Sequence, residues 1–334
     1  MDWSGTTALV TGAGGFIGGH LCEALARRGA CVRAFVHYNS RGDWGSIERL
    51  GAEARSRIEV VPGDVRDPFA VRRAVADAGV VFHLAALIGI PYSYAAPEAY
   101  VSVNVQGALN MLQACRDEGV RRLVHVSTSE TYGTARYAPI DEEHPLRAQS
   151  PYAATKIAAD KLAESFHLSF GLPVAIARPF NAYGPGQSAR AVVPAIVCQA
   201  LKAADGKDKR IRLGSLEPVR DMTYVEDTVR GLIAAAEADG AVGETINLGT
   251  GRGVSIGELA RMILDRIDPA IAIERDERRA RPESSEVMRL ICDNAKARRL
   301  LGWSPEVSLE EGLERAIAFV RLRPELYKPG RYAL

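Results

Sequence analysis

The chain has 334 residues, 47% of them hydrophobic, and its 42 Lys and Arg balance 41 Asp and Glu. That length and composition support a large buried core in one or two domains, and the near-neutral balance offers no bulk field to recruit nucleic acid or an anionic membrane. Cys22, Cys31, Cys115, Cys198 and Cys292 are scattered, with no C-x-x-C or Cys/His cluster. Neither a disulfide framework nor a metal site is expected, and with no leader-like or membrane-length apolar run the chain reads as cytoplasmic.

Thr7-Ala8-Leu9-Val10 is a short apolar strand that runs into Thr11-Gly12-Ala13-Gly14-Gly15-Phe16-Ile17-Gly18, followed by a helical pattern at Leu21, Ala24 and Leu25. Strand, glycine turn and helix in that order suit a dinucleotide. Gly12, Gly15 and Gly18 permit a tight turn, close approach to a pyrophosphate and close helix packing, with the anion on the helix N-terminus. An ordinary glycine-rich turn would share these features. The second strand, Cys31 to Val36, leads into His37, Tyr38, Asn39, Ser40 and Arg41, where such folds usually place a carboxylate for the ribose. NAD is the expected cofactor, with NADP left open because a carboxylate is missing there and Arg41 is close by.

Ile58 to Val61 reads as a third strand, with Pro62, Gly63, Asp64 and Val65 as its turn and Asp64 as a helix cap or turn residue. Val80 to Ala86 reads as a fourth strand, in which His83 is structural and the small residues at its end leave room for a cofactor. Asn104, in the helix that follows, is expected to bond neighbouring backbone. Val124 to Val126 ends a buried strand, so Thr128, Ser129 and Glu130 are expected to face a cleft at its carboxyl end. Tyr152 and Lys156 are four apart and share one face of a helix that continues to Phe170 and stops at Gly171. An ammonium beside the phenol is expected to lower its pKa from about 10 and make it a base. Taken alone, the pair fits a half-buried tyrosine beside a solvated lysine better than a catalytic pair.

Val174 to Ala177 is the next buried strand, and Arg178 to Gln187, rich in proline and glycine, reads as a loop that shapes a pocket wall. The last third mixes short strands and helices: Arg210 to Gly214, Val229 to Ala238, Thr245 to Leu248 and Ile256 to Ile267. The expected architecture is α/β, a Rossmann doubly wound parallel sheet over residues 1–178 with a smaller C-terminal α/β substrate-binding domain over 179–334. Some of the later strands and helices are allowed to return to the first domain. Arg220 and Arg281 carry planar, permanently charged guanidiniums suited to phosphate, or to surface salt bridges.

These motifs occur in the order T-G-x-x-G-F-I-G, T-S-E, Y-x-x-x-K, R-P-F-N-x-Y-G-P and R-D-x-x-x-V-x-D, from Thr11 to about Trp303. Together they resemble the extended short-chain dehydrogenases/reductases that modify nucleotide sugars, most of all the 4,6-dehydratases of GDP-mannose, dTDP-glucose or UDP-GlcNAc. Phe35 to Ser40 and Ile90 to Tyr94 are similar to the UDP-GlcNAc 4,6-dehydratases of legionaminic-acid type. The resemblance implies cofactor contacts at Gly12, Gly15, Phe16, Ile17, His37, Asn39, Asp64, Val65, Leu84, Ala85, Ala86, Asn104, Tyr152 and Lys156. It implies contacts to a nucleotide-diphosphate sugar at Thr128, Asn181, Arg220 and Arg281. Tyr152, assisted by Thr128, would take the C4 hydroxyl proton while hydride moves to NAD. Glu130 would then abstract the C5 proton, water would leave from C6 and the hydride would return to C6. Ser129 stands where many sugar dehydratases carry Asp, which leaves the acid for C6 to Glu130, acting through water. Within the same fold a C4-epimerase, a UDP-glucuronate decarboxylase and a 5,6-dehydratase are rivals, and outside catalysis an idle dinucleotide-binding scaffold is another. The resemblance also implies a homodimer through helices 98–117 and 152–170.

Overall fold

The computed structural model describes residues 1–279 and 285–327; Arg281 falls outside them. Apolar runs without polar alternation become strands covered on both faces: Ala8, Leu9 and Val10 are fully buried, as are Val80, Val81 and Phe82. Strands β1 (Thr7–Thr11), β2 (Cys31–His37), β3 (Ile58–Gly63), β4 (Val80–His83), β5 (Arg122–Val126) and β6 (Val174–Pro179) pair in parallel. The chain then forms β7 (Asn181–Tyr183), β8 (Arg210–Leu213) and β9 (Val219–Tyr224) before β10 (Thr245–Leu248) returns to lie parallel beside β6. The resulting seven-stranded sheet has the order β10-β6-β5-β4-β1-β2-β3. Outside that sheet, β7 pairs with β9 in parallel, with Asn181 opposite Met222.

Register aligns the chemistry. Thr11 lies opposite His83 and His83 opposite His125, so three polar side chains line up across β1, β4 and β5 near their carboxyl ends. Strand β3 runs on through Pro62 and Gly63, which read as a turn from sequence; β3 ends the sheet order, and at an edge the proline's missing N–H costs no ladder bond. Strand β4 stops at His83, leaving Leu84 to Ala86 as open backbone. Asn181–Tyr183, expected in a loop, forms a strand because β9 offers it a partner. Asn104 sits in a wide turn of π-helical form, Val101–Gln106, rather than in a regular helix.

The helix Pro151–Phe170 is well specified: the Ser150 side chain accepts from Ala153 N, Pro151 opens the first turn and Gly171 ends it at φ 69°. Gly12 and Gly18 are required by close approach. Gly12 has φ 69°, and a Cβ on Gly18 would stand 2.3 Å from the Gly12 carbonyl oxygen. Among the described residues no helix is long and apolar enough to cross a membrane.

Candidate active site

Helix Phe16–Arg27 follows the glycine turn with no acidic residue in its first turn, so its N-terminal N–H groups and dipole remain suited to an anion. Thr11 Oγ1 accepts from Leu84 N and Ala85 N, both at 3.1 Å, and donates to His83 Nδ1 at 2.8 Å. This hydroxyl pins Leu84 and Ala85 beside Gly12, where a Cβ would reach Ala85 N at 3.0 Å. The cradle is bare backbone of the kind a dinucleotide needs. Phe16 and Ile17 open the helix, partly exposed. Asn104 holds the other side: it accepts from Leu87 N at 2.8 Å and donates to Leu87 O and to Thr155 Oγ1, both at 3.0 Å. That is the backbone bonding its short amide suggested.

At the far end of the cradle, His37 is the last residue of β2 and lies 3.6 Å from Asp64, which Arg66 also grips at 2.6 Å. Hydrogen bonding to Arg66 holds the Asp64 carboxyl below its usual range. A carboxylate therefore stands beside the end of β2, supplied by the residue that follows β3. Asn39 is engaged within its own loop, donating to Asp43 O at 2.6 Å and accepting from Arg41 N at 3.0 Å. Val65 is buried and packs on Gly107.

Thr128 caps the short turn Ser129–Tyr132, accepting from Glu130 N at 3.2 Å, and its side chain also hydrogen-bonds the Tyr152 phenol. Thr128 and Glu130 remain partly open, whereas Ser129 is buried. The expectation that Lys156 lowers the Tyr152 pKa needs correction. Burial drives the phenol well above its ordinary value; the Thr128 hydrogen bond opposes this, while the charge of Glu130 and the neighbouring Tyr100 add to it. Lys156 is itself fully buried, donates to Val126 O at 2.8 Å, and is brought down to about 8 by that burial. At Lys156 desolvation outweighs the opposing charge of Asp160, whereas at Tyr152 it acts together with the charges of Glu130 and Asp160.

Sequence reading missed the next turn of this helix. Asp160 Oδ2 accepts from Ser127 Oγ at 2.7 Å and from Arg178 Nη2 at 2.9 Å, and Oδ1 lies 3.3 Å from His125 Nε2. Arg178 also donates to the Tyr132 hydroxyl at 3.0 Å, and Tyr132 donates to Asn247 Oδ1 at 2.8 Å. The i, i+4, i+8 spacing of Tyr152, Lys156 and Asp160 was the available signal. Arg190 was missed as well: exposed, it sits against Gly89 and acts electrostatically on Tyr100, whose ring meets Tyr152 edge-on at 6.2 Å.

Of the residues expected to meet substrate, Asn181 is half-buried, and its Oδ1 has no hydrogen-bond partner among the described residues. Arg220 is buried, donating to Glu286 Oε1 at 3.2 Å and to Val219 O at 3.1 Å.

A parallel sheet, a bare glycine cradle and a Thr/Tyr/Lys constellation outside the strand ends define the extended class of short-chain dehydrogenases/reductases. Residues 9–316 match the family described as GDP-mannose 4,6 dehydratase, and the chain belongs to that family. It is 34% identical over 318 residues to a UDP-glucose 4-epimerase of Mycolicibacterium smegmatis, covering 94% of this chain and 98% of the relative. DesIV, a dTDP-glucose 4,6-dehydratase from Streptomyces venezuelae solved with NAD and TYD bound, is similar with a TM-score of 0.84 and 30% identity over 97% of this chain and 99% of that one. A UDP-glucuronic acid 4-epimerase from Bacillus cereus, solved with UDP-glucuronic acid and NAD, also has a TM-score of 0.84, with 30% identity over 95% and 99% of the two chains. This chain is therefore an enzyme of a family that both dehydrates and epimerises nucleotide sugars.

Proposed function

We propose that the protein is an NAD-dependent nucleotide-sugar 4,6-dehydratase acting on UDP-GlcNAc. The observation that carries this reading is Glu130, a partly open carboxylate close enough to Tyr152 to raise its pKa. Every activity in this family that begins with C4 oxidation needs the phenol to lose its proton, and a neighbouring negative charge hinders that loss. The hindrance is useful only where the carboxylate itself reacts, and an epimerase has no step for it.

Bound NAD supplies the hydride acceptor at the start and the hydride donor at the end. Tyr152, ionised to the phenolate, receives the C4 hydroxyl proton, with Thr128 bonded to its oxygen. The resulting 4-ketone acidifies C5, and Glu130 takes that proton. With Ser129 buried, Glu130 passes that proton through water to the departing C6 hydroxyl; as the hydride returns to C6, C5 takes up a proton from solvent and Tyr152 releases the one it holds, so the proton count closes. Gly12, Leu84 and Ala85 hold the cofactor, and Asn181 and Arg220 the diphosphate. Leu168 and Phe170, 75% and 54% exposed on helix Pro151–Phe170, leave apolar surface for a homodimer.

Arg190 favours a 2-acylamino sugar. Beside it the exposed Tyr92 ring presents an apolar face, backed by the buried Tyr100 ring with centroids 6.1 Å apart, and the Gly89 carbonyl is already used by the Tyr100 hydroxyl. A donor-only cation beside an aromatic face suits an acetyl group, with its carbonyl on the guanidinium and its methyl on the Tyr92 ring. Arg190→Ala is expected to lower kcat/KM for UDP-GlcNAc by about 10- to 100-fold relative to UDP-glucose, the value of a charge-assisted hydrogen bond.

The function itself is tested by incubating the protein with UDP-GlcNAc, UDP-glucose, UDP-glucuronate, GDP-mannose and dTDP-glucose and weighing the products. Loss of one water is expected, with UDP-GlcNAc consumed fastest. Loss of carbon dioxide, or an isomer of unchanged mass, overturns the reading.

A further inference from the structure

We propose that Asp160 is a positioning residue for Lys156: clamped by Ser127 and Arg178, its carboxylate keeps the buried lysine cationic in the working range of pH. The proposal rests on the reading that Lys156 assists Tyr152. A buried ammonium is disfavoured unless an opposite charge stands close to it. Lys156 and Asp160 are one turn apart on helix Pro151–Phe170, which places them on one face, and both are at least 95% buried, with 5% and 1% of their surfaces exposed.

The other groups around the lysine do not serve. From the same helix Tyr152 is a phenol held protonated by burial. From β5 and β4, His125 and His83 are kept neutral, their pKa values lowered first by burial, and both feel the lysine's charge as repulsion. From β6, Arg178 carries the same sign as Lys156 and lies on Asp160. Asp160 is thus the charge that opposes the desolvation of Lys156.

Its placement is fixed rather than incidental. Oδ2 is fully used by Ser127 Oγ and by Arg178 Nε and Nη2 at 2.7, 3.2 and 2.9 Å. Oδ1 lies 3.3 Å from His125 Nε2, an imidazole kept neutral, so no second cation compensates that oxygen.

Loss of charge on Lys156 sets an alkaline limb in kcat/KM, since a neutral amine no longer favours the phenolate. Asp160→Asn keeps the shape and removes the charge. The limb is expected to move to lower pH by about one unit, with activity falling about tenfold on its alkaline side. Asp160→Glu is expected to restore the limb. If Asp160→Asn folds poorly, the double variant Asp160→Asn/Arg178→Met leaves no buried guanidinium without its carboxylate and is expected to show the same displaced limb. A loss that is uniform across pH, with the limb where the wild type has it, in Asp160→Asn or in the double variant, overturns the proposal and leaves Asp160 as Arg178's anchor alone. Weighing the product separates the two readings: an epimer in place of a dehydrated sugar removes the dehydratase assignment, while the limb, which belongs to the shared C4 oxidation, still tests Asp160.

Discussion

Glu130→Gln is expected to slow water elimination by about 100- to 10,000-fold, the range for loss of a positioned acid/base, while C4 oxidation proceeds at least as fast as in the wild type. The asymmetry follows from one observation: the Glu130 charge raises the Tyr152 pKa, so neutralising it eases the first proton transfer while removing the group that acts on C5. In a single turnover, the absorbance of the reduced cofactor is expected to accumulate instead of returning to baseline, and the product mass to remain that of the 4-keto sugar before water is lost. An undiminished rate of dehydration in this variant would end the assignment of Glu130 and, with it, the dehydratase reading.

The second large effect is on stability. Arg178→Ala is expected to cost about 3–5 kcal/mol in urea-induced unfolding, as when one partner of a buried ion pair is removed. It leaves Asp160, 1% exposed, with a stranded charge, and it takes from Tyr132 both its hydrogen-bond donor and the guanidinium lying 5.0 Å from its ring centroid. The acid side reports on the same network. Asp160 is held at about 2, below its ordinary 3.8, with His125 and the charge of Arg178 opposing burial. A depressed carboxyl contributes stability that is present above its unfolded value and lost as pH falls through the folded one, here between about 4 and about 2. His83 and His125, both lowered from 6.5 by burial, add an earlier loss: below that value the unfolded chain takes up protons that the native imidazoles refuse. In Arg178→Ala the step between pH 4 and 2 is expected to flatten, because Asp160 no longer gains from a paired cation, whereas the histidine step persists.

How much of this was legible in the sequence depends on whether a feature is local. The glycine turn, the capped helix Pro151–Phe170 and the pairing of Tyr152 with Lys156 on one face are set by residues within a few positions of each other, and each could be read directly. The placement of β10 could not: Thr245 to Leu248 is a four-residue stretch alternating polar and apolar side chains, and nothing within it says which sheet it joins. The Asp160 network was likewise hidden, since Ser127, His125, Arg178 and Tyr132 come from separate segments that only the sheet register brings together. The sign of the Tyr152 shift was misread for a different reason. Spacing reports that a lysine is near, but not how deeply both groups are buried, and here burial decides. Pro62 shows the same limit: a proline argues against a central strand, but sequence does not reveal that β3 lies at the margin.

The return of β10 has a consequence for anyone who divides or recombines this chain. Because Thr245–Leu248 is the neighbour that completes β6, a fragment cut at the end of the first six strands would be left with a raw, sticky border of unpaired amides and carbonyls, an invitation to aggregate. Grafting a foreign sugar-recognition half would have to respect that seam, carrying the host's own Thr245–Leu248 or a strand able to replace it.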